Sequence, residues 1–383
     1  MTSELPRDTD DRTGLMDTPP EERFDRITRL AQDLFQVDFA LVNIVGDDTV
    51  YTKSQPPGPA IGHSAPEDVF CAETIRQNGV LEIRDAAADD RYRDRKAVTD
   101  YGMRFYAGVP LRTDDGQAVA TLCLLDDTPR TLDGDQRAAL QRFGAWAQAE
   151  LRQSEPGPDE AAPATSPETH QEDLGSEVHL ASLAIPHGAV SGDRSGWMQV
   201  GGRVVVTLAD VMGKGEIAGG FADELLRAMQ ERRDMDPVGA LTSVESQAGA
   251  DRRFRDTFAT IFHAVIDTRA GRLDYVDAGH GLSLVLHPDG SDERLSSRNL
   301  PLGLRPADMP WEAGSSAVSR GDLIVSVSDG ALDAYDSTLE SLRLIGEDLR
   351  RAARADRFFE ELAVRVSTHA VDDDVTAVVV AIH

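Results

Sequence analysis

The sequence predicts an α+β protein of two separately folded units, and three observations carry that prediction. Apolar runs at strand period outnumber stretches at helical period, and many follow one another in hairpin order. The length of 383 residues exceeds that of one ordinary domain. Finally, residues 154–177 combine Pro, Ser and Ala with seven acidic residues and contain no Phe, Trp, Tyr, Val or Ile. Such a composition cannot bury enough apolar surface to fold. It reads as an acidic, Pro-rich linker between a unit at residues 14–153 and a unit at residues 178–383.

In the first unit, Thr18-Pro19-Pro20-Glu21-Glu22 is a helix-start signal, with a capping hydroxyl and prolines in the first turn. Phe24, Ile27, Ala31, Leu34 and Phe35 follow at helical spacing. Strands are predicted at Phe39 to Val45, Val80 to Ile83, Tyr106 to Leu111 and Ala118 to Leu125, the last two as a hairpin across Asp114-Asp115-Gly116. A closing helix from Asp133 to Leu151 carries Leu140, Phe143, Trp146, Ala147 and Leu151. That stripe can pack on its own sheet or on a second copy of itself.

In the second unit the strand signals are Val178 to Ile185, Met198 to Leu208, Phe258 to Ile266, Leu273 to Val276, Leu282 to Leu286, Leu323 to Val327 and Val375 to Ile382. Helical stretches fall at Ile217 to Arg232, Pro237 to Gln247, Leu342 to Ala355 and Arg357 to Thr368. Strands in hairpin order with few helices predict helices packed outside β-sheets. No period of 20–50 residues repeats, so a solenoid is not expected.

A formal charge of −28 argues against a nucleic-acid surface, which needs clustered Lys and Arg. Only Cys71 and Cys123 are present, so no disulfide framework is expected. No apolar run approaches the roughly 20 residues needed to span a membrane, and the polar start from Met1 to Asp11 does not resemble a signal peptide. The expectation is a cytoplasmic protein without membrane or nucleic-acid partners. Lysine occurs only at positions 53, 96 and 214.

Four aspartate motifs punctuate the second unit, each where an apolar run begins or stops: Val190-Ser191-Gly192-Asp193, Asp210-Val211-Met212-Gly213-Lys214-Gly215, Ser328-Asp329-Gly330 and Asp372-Asp373-Asp374-Val375-Thr376. Carboxylates at strand ends can converge on hard divalent cations, which prefer oxygen ligands. Gly213 and Gly215 allow a tight turn beside Asp210 and the Val211 carbonyl. A metal-dependent hydrolase is the function class these motifs suggest.

The stretches VSGD, LADVMGKG, DTFATIFHAVID, VDAGHG, NLPLGL, VSVSDG and DDDVTAVVV stand in the order seen in SpoIIE/RsbU-type serine phosphatases, a bacterial branch of the PPM metal-dependent phosphatases, which residues 178–383 therefore resemble. The resemblance implies an α-β-β-α sandwich and two ions, Mn²⁺ or Mg²⁺. Asp193 and Asp210, with the carbonyl of Val211, would hold one; Asp210 would bridge to a second bound by Asp329 and Asp373, with Asp374 as the alternative. It also implies phosphoserine or phosphothreonine on a protein as substrate, foremost a STAS-type anti-sigma factor antagonist. The sequence departs from the family where many members have an acid three residues after Asp193; here that position is Gly196. This departure keeps open a catalytically weak or inactive phosphoprotein-binding sensor, and a hydrolase of small phosphate esters is a further alternative. Arg194 can meet a substrate phosphate or form a surface salt bridge. His280 can act as a general acid or fix its glycine-rich turn, and the second role is favoured. Leu300-Pro301-Leu302-Gly303 reads as a structural turn.

Residues 14–153 resemble a GAF domain, through the segment from Thr13 to Asp25, Phe70-Cys71-Ala72-Glu73-Thr74, the segment from Asp85 to Tyr92, and the segment from Arg104 to Leu111. The resemblance implies an antiparallel sheet flanked by helices, a small-molecule pocket of unnamed ligand, and a homodimer formed through this domain and its C-terminal helix. Cys71 and Cys123 read as small core residues, with a redox or tetrapyrrole-attachment role for Cys71 as the minor alternative.

Overall fold

A computed structural model describes residues 11–56, 60–153, 166–188, 190–213, 215–250, 257–306, 309–369, 371 and 373–383. Residues 154–165 of the expected linker, Lys214 and Asp372 lie outside them. The chain divides into two compact units between residues 158 and 159.

The first unit runs α1 (Glu22–Phe35), β1 (Phe39–Val45), β2 (Val50–Ser54), β3 (His63–Ser64), α2 (Cys71–Thr74), β4 (Leu81–Ile83), α3 (Lys96–Thr99), β5 (Phe105–Arg112), β6 (Ala118–Asp126) and α4 (Gly134–Gln153). Its strands form one antiparallel sheet in the order β3-β2-β1-β6-β5-β4. The hairpin expected across Asp114 to Gly116 is β5–β6. Helices α1 and α4 pack together, with Phe35 and Phe143 rings 6.0 Å apart. At that contact Glu150, 1 % exposed, accepts from Arg26 Nη2 at 2.8 Å and from Trp146 Nε1 at 2.9 Å.

Leu140, Phe143, Trp146, Ala147 and Leu151 are all buried within this unit. The α4 stripe therefore packs on its own domain and does not supply a dimer face. Two details at α1 differ from expectation. Leu34 is exposed, because the buried face runs through Phe24, Ile27, Ala31 and Phe35. Thr18 does not cap the helix, which starts after Glu21 with no side-chain cap. The Thr18 hydroxyl instead accepts from the buried Lys53 Nζ at 2.5 Å, where Pro19 O at 2.6 Å and Glu21 at 2.5 Å complete the partners of an ammonium removed from water.

The second unit runs β7 (Glu168–Leu174), β8 (Val178–Ile185), β9 (Asp193–Val200), β10 (Arg203–Val211), α5 (Gly215–Glu231), α6 (Pro237–Ala250), β11 (Ala259–Asp267), β12 (Arg272–Ala278), β13 (Ser283–Leu286), β14 (Asp292–Arg294), β15 (Gly314–Ala317), β16 (Leu323–Val327), α7 (Gly330–Asp333), α8 (Leu339–Ala352), α9 (Ala355–Thr368) and β17 (Val375–Ile382). Its two antiparallel sheets have the orders β15-β12-β11-β10-β9 and β14-β13-β16-β17-β8-β7. Val204, Val206, Leu208 and Phe262 of one sheet pack with Leu180, Ile324, Val378 and Val380 of the other. The opposite side of the first sheet carries α5 and α6, through Ala209, Ile261, Ala222 and Leu241. The second carries α8 and α9, through Leu183, Val325, Ile345 and Phe358. The layers are α-β-β-α, as expected.

Two segments read differently in the structure. The single strand expected from Met198 to Leu208 is a hairpin of β9 and β10, turning at Gly201-Gly202 with φ of 58° and 84°. Successive positive φ values match the twist of paired strands, and glycine adopts them at little cost. Within the expected linker, residues 168–174 form β7 along the edge of β8. Only Leu174 of this strand is buried, so pairing rests on backbone hydrogen bonds that composition does not report. Beside it His170 stacks on Trp197 at 5.1 Å, and Trp197 Nε1 donates to Glu172 at 2.7 Å.

Candidate metal centre

Each sheet brings two aspartates to the same kind of place, the end of a strand. The β9–β10 hairpin sets Asp193 directly opposite Asp210, although they are far apart along the hairpin. In the second sheet β16 pairs antiparallel with β17, with Val327 opposite Ala377, so Asp329 leaves the sheet beside Asp373 and Asp374.

Ser328 stitches this junction: its hydroxyl donates to Asp374 O at 3.1 Å and accepts from Thr376 N at 2.8 Å. Asp329 then caps α7, accepting from Gly330 N at 3.1 Å. Glycine is required there, because a Cβ at position 330 would lie 2.3 Å from Asp374 O. Gly192 plays a similar part in the first sheet, where a Cβ would lie 2.8 Å from the Val211 carbonyl oxygen. That carbonyl and the turn bearing Asp193 are thereby held together, with Val211 N donating to Gly192 O at 3.2 Å.

The electrostatics unite the two pairs. Asp193 is 6 % exposed, and its Oδ2 is buried with no hydrogen-bond partner. Burial, and then the charges of Asp374, Asp373 and Asp329, push its carboxyl well above the usual carboxylate range. Such an oxygen, facing like charges, suits a bound cation, and an all-oxygen donor set suits Mg²⁺ or Mn²⁺.

Asp374 has other work: its two oxygens accept from His187 N and Gly192 N, each at 2.8 Å. It ties the 373–376 segment to the Asp193 turn, while Asp373 Oδ1 accepts from Asp374 N at 2.9 Å. Among the described residues, a trio of carboxylate oxygens all within 4.8 Å of one another occurs instead at Asp38, Asp126 and Asp127. There Asp126 is paired to Arg130 at 2.7 Å and Asp38 accepts from Asp127 N at 3.0 Å, so that trio is already satisfied.

Gly196, where the family acid is missing, does not face this cluster. It lies opposite Thr207 under α5, and a Cβ there would meet Leu226 and Gln230 at 3.2 Å. Gly196→Asp is therefore expected to destabilise the protein by about 1–3 kcal/mol through overpacking, without tightening manganese binding. Thermal melts and a manganese titration of the variant check both halves.

Arg194 does not point at open solvent. Its Nη1 donates to the carbonyls of Ser191 at 2.8 Å and Asp193 at 2.7 Å, and its Nε to Asp223 of α5 at 2.6 Å. His280 is buried in a turn whose amides are held by Asp277: His280 N and Gly281 N both donate to that carboxylate at 2.8 Å. Its Nε2 meets Ser326 Oγ at 3.0 Å, so it fixes the loop. The turn at Leu302 is likewise structural, bridging to Ala259, with Gly303 at φ 93°. Sequence reasoning passed over Ser328, Gly330 and Asp277; the signal for the first two was their place around Asp329 in the Ser-Asp-Gly motif.

In the first unit Cys71 and Cys123 are buried free thiols, each 3.3 Å from Asn43 Nδ2. They sit in the core with Phe70, Tyr92 and Tyr106, as expected of small buried residues.

Comparison with known families gives two matches. Residues 200–383 match the family model of stage II sporulation protein E (SpoIIE), and residues 19–151 match that of the GAF domain. The chain thus carries a SpoIIE-type domain of the PPM phosphatase class behind a GAF domain. Among curated proteins it is 36% identical over 143 residues to cyclic di-GMP phosphodiesterase PA2567 of Pseudomonas aeruginosa, covering 37% of this chain and 24% of that one. It is 34% identical over 83 residues to protein IcfG of Synechocystis, covering 22% and 13%. The chain thus spans a quarter or less of the curated relatives it matches. Among solved structures, the PP2C phosphatase domain with a regulatory fragment of SpoIIE from Bacillus subtilis aligns with TM-score 0.46 and 17% identity, over 73% of this chain and 79% of that one. The RsbU and RsbW domains of Rv1364c from Mycobacterium tuberculosis align with TM-score 0.45 and 20% identity, over 58% and 62%. Among the described residues, no helix is long and apolar enough to cross a membrane.

Proposed function

We propose that this chain is a metal-dependent protein serine/threonine phosphatase regulated by its GAF domain. The carrying observation is the buried Asp193 carboxylate, with an unpartnered oxygen and a pKa raised by its burial and then by the charges of Asp374, Asp373 and Asp329. Asp193, Asp210 and the Val211 carbonyl would hold one Mn²⁺ or Mg²⁺, and Asp210, Asp329 and Asp373 a second. When bound, such a pair activates water near neutral pH and neutralises charge on phosphoryl oxygens.

The chain's own residues set the geometry: Ser328 and Gly330 bring Asp329 against the 373–374 segment, and Asp374 binds that segment to the Asp193 turn. No serine or cysteine nucleophile is required. The substrate is a phosphoserine or phosphothreonine on a signalling protein, foremost a STAS-type anti-sigma factor antagonist. The SpoIIE family match supports a protein substrate. The site is cytoplasmic in this reading.

Manganese-dependent phosphate release from a phosphoserine peptide, compared with release from a free nucleotide, tests the proposal. Preference for the peptide supports it; equal or better nucleotide hydrolysis overturns the substrate class.

The raised pKa of Asp193 has a stability consequence. Its folded pKa lies above the unfolded value, so its contribution is favourable at low pH and is lost as pH rises through the ordinary carboxylate range and beyond. Without metal, Asp193→Asn is expected to melt higher than wild type at pH 8, with the gap closing toward pH 4. Added manganese is expected to raise the wild-type melt at pH 8 by more than the variant's, which keeps at most one ion.

A further inference from the structure

We infer that Arg194 is a positioning residue that sets the metal-binding turn and anchors it to α5. The inference rests on the proposed function for its chemistry and on a separate set of contacts for its geometry. The turn from Val190 to Gly192 leads into β9 at Asp193, and Gly192 O accepts from Val211 N at 3.2 Å. Asp193 N donates to Ser191 Oγ at 2.9 Å, and Gly192 N to Asp374 Oδ2 at 2.8 Å. Two carbonyls that flank Gly192, Ser191 O and Asp193 O, both accept from one nitrogen, Arg194 Nη1.

A single cation thus brackets the residue whose carboxylate faces the other acids. The guanidinium is held in place from the other side by Asp223, 2.6 Å from Nε, one turn along α5 from Gly219. Gly219 lets the helix approach this closely: a Cβ there would lie 2.3 Å from Val190 and 3.1 Å from Ser191 O. The fork geometry is the reason arginine serves here, because a planar guanidinium can address the turn and the helix at once, whereas a lysine ammonium is a point donor. Asp193 and Arg194 are adjacent in sequence, yet in the strand they face opposite ways, so the cation braces the backbone without touching the carboxylate it positions.

Residues that orient a metal ligand rather than bind the ion typically change affinity or activity about 10–100-fold when replaced. Arg194→Met is therefore expected to raise the Kd for manganese, measured by calorimetry on the full chain, by about 10–100-fold. At saturating manganese, kcat is expected to stay within a few-fold of wild type. Arg194→Lys should fall between, and Asp223→Asn should shift affinity in the same direction by less.

A merely structural role predicts a different pattern, with a lowered melting temperature and a manganese Kd unchanged in the folded protein. That result, in Arg194→Met or, should it not fold, in Arg194→Lys and Asp223→Asn, overturns the inference. If wild type itself binds no manganese, the proposed function fails, and the same variants then decide the structural part alone: unchanged proteolysis of the α5–β9 junction would overturn it.

Discussion

Asp210→Ala is expected to lower manganese-dependent phosphate release by about 10³-fold, equivalent to about 4 kcal/mol of barrier. The size follows from where Asp210 stands. It lies one residue before the end of β10, opposite Asp193 on one side and Thr260 on the other, and in the proposed arrangement it alone would help hold both ions. Loss of Asp193, Asp329 or Asp373 weakens one ion site; loss of Asp210 weakens both. The backbone there is held by eight rungs of pairing with β11, so the variant should remain folded. Release assayed at rising manganese separates weakened binding from lost chemistry. An unchanged manganese dependence with wild-type activity would remove Asp210 from the proposed role.

The second large effect concerns stability and lies in the GAF unit. Glu150→Ala should cost about 3–5 kcal/mol, because it removes a buried carboxylate that both the Arg26 guanidinium and Trp146 Nε1 donate to. Arg26 is 4 % exposed and bonds Glu150 at 2.8 Å, and Trp146 Nε1 loses the same acceptor. Arg26 and Trp146 join α1 to α4, where the Arg26 guanidinium also lies over the Trp146 ring at 5.5 Å. Replacing both charged partners together, for example by Met and Leu, should cost much less than Glu150→Ala alone. Chemical denaturation followed by Trp146 fluorescence measures the difference; a loss below about 1 kcal/mol for Glu150→Ala would contradict the burial of this pair.

Much of this fold was legible because burial and periodicity coincide. Phe39–Val45, Val178–Ile185, Leu323–Val327 and Val375–Ile382 are dense β-branched or aliphatic runs, and each is a strand with the bounds expected. What was missed is polar. Strand β9 reads Asp-Arg-Ser-Gly-Trp-Met-Gln-Val, and β7 exposes six of its seven residues, so neither shows an apolar period. Backbone pairing stabilises them, and pairing leaves no compositional trace.

The site divides in the same way. The aspartates that converge were visible as motifs at strand ends, since turns after apolar runs must emerge at a sheet edge. That Asp374, and not Asp373, accepts from His187 N and Gly192 N was not visible, because it depends on how the 373–376 segment meets the Asp193 turn. Nor could the sequence show that position 196 lies under α5, a fact set by strand alternation once β9 is recognised as beginning at Asp193.

The central claim is that the acids around Asp193 form a two-ion centre. Equilibrium dialysis of the full chain against manganese at pH 8, followed by elemental analysis, tests it most directly. The account predicts two ions per chain in wild type, and at most one of them retained in Asp193→Asn or Asp329→Ala. Wild-type protein that is folded yet holds no stoichiometric manganese or magnesium would contradict it.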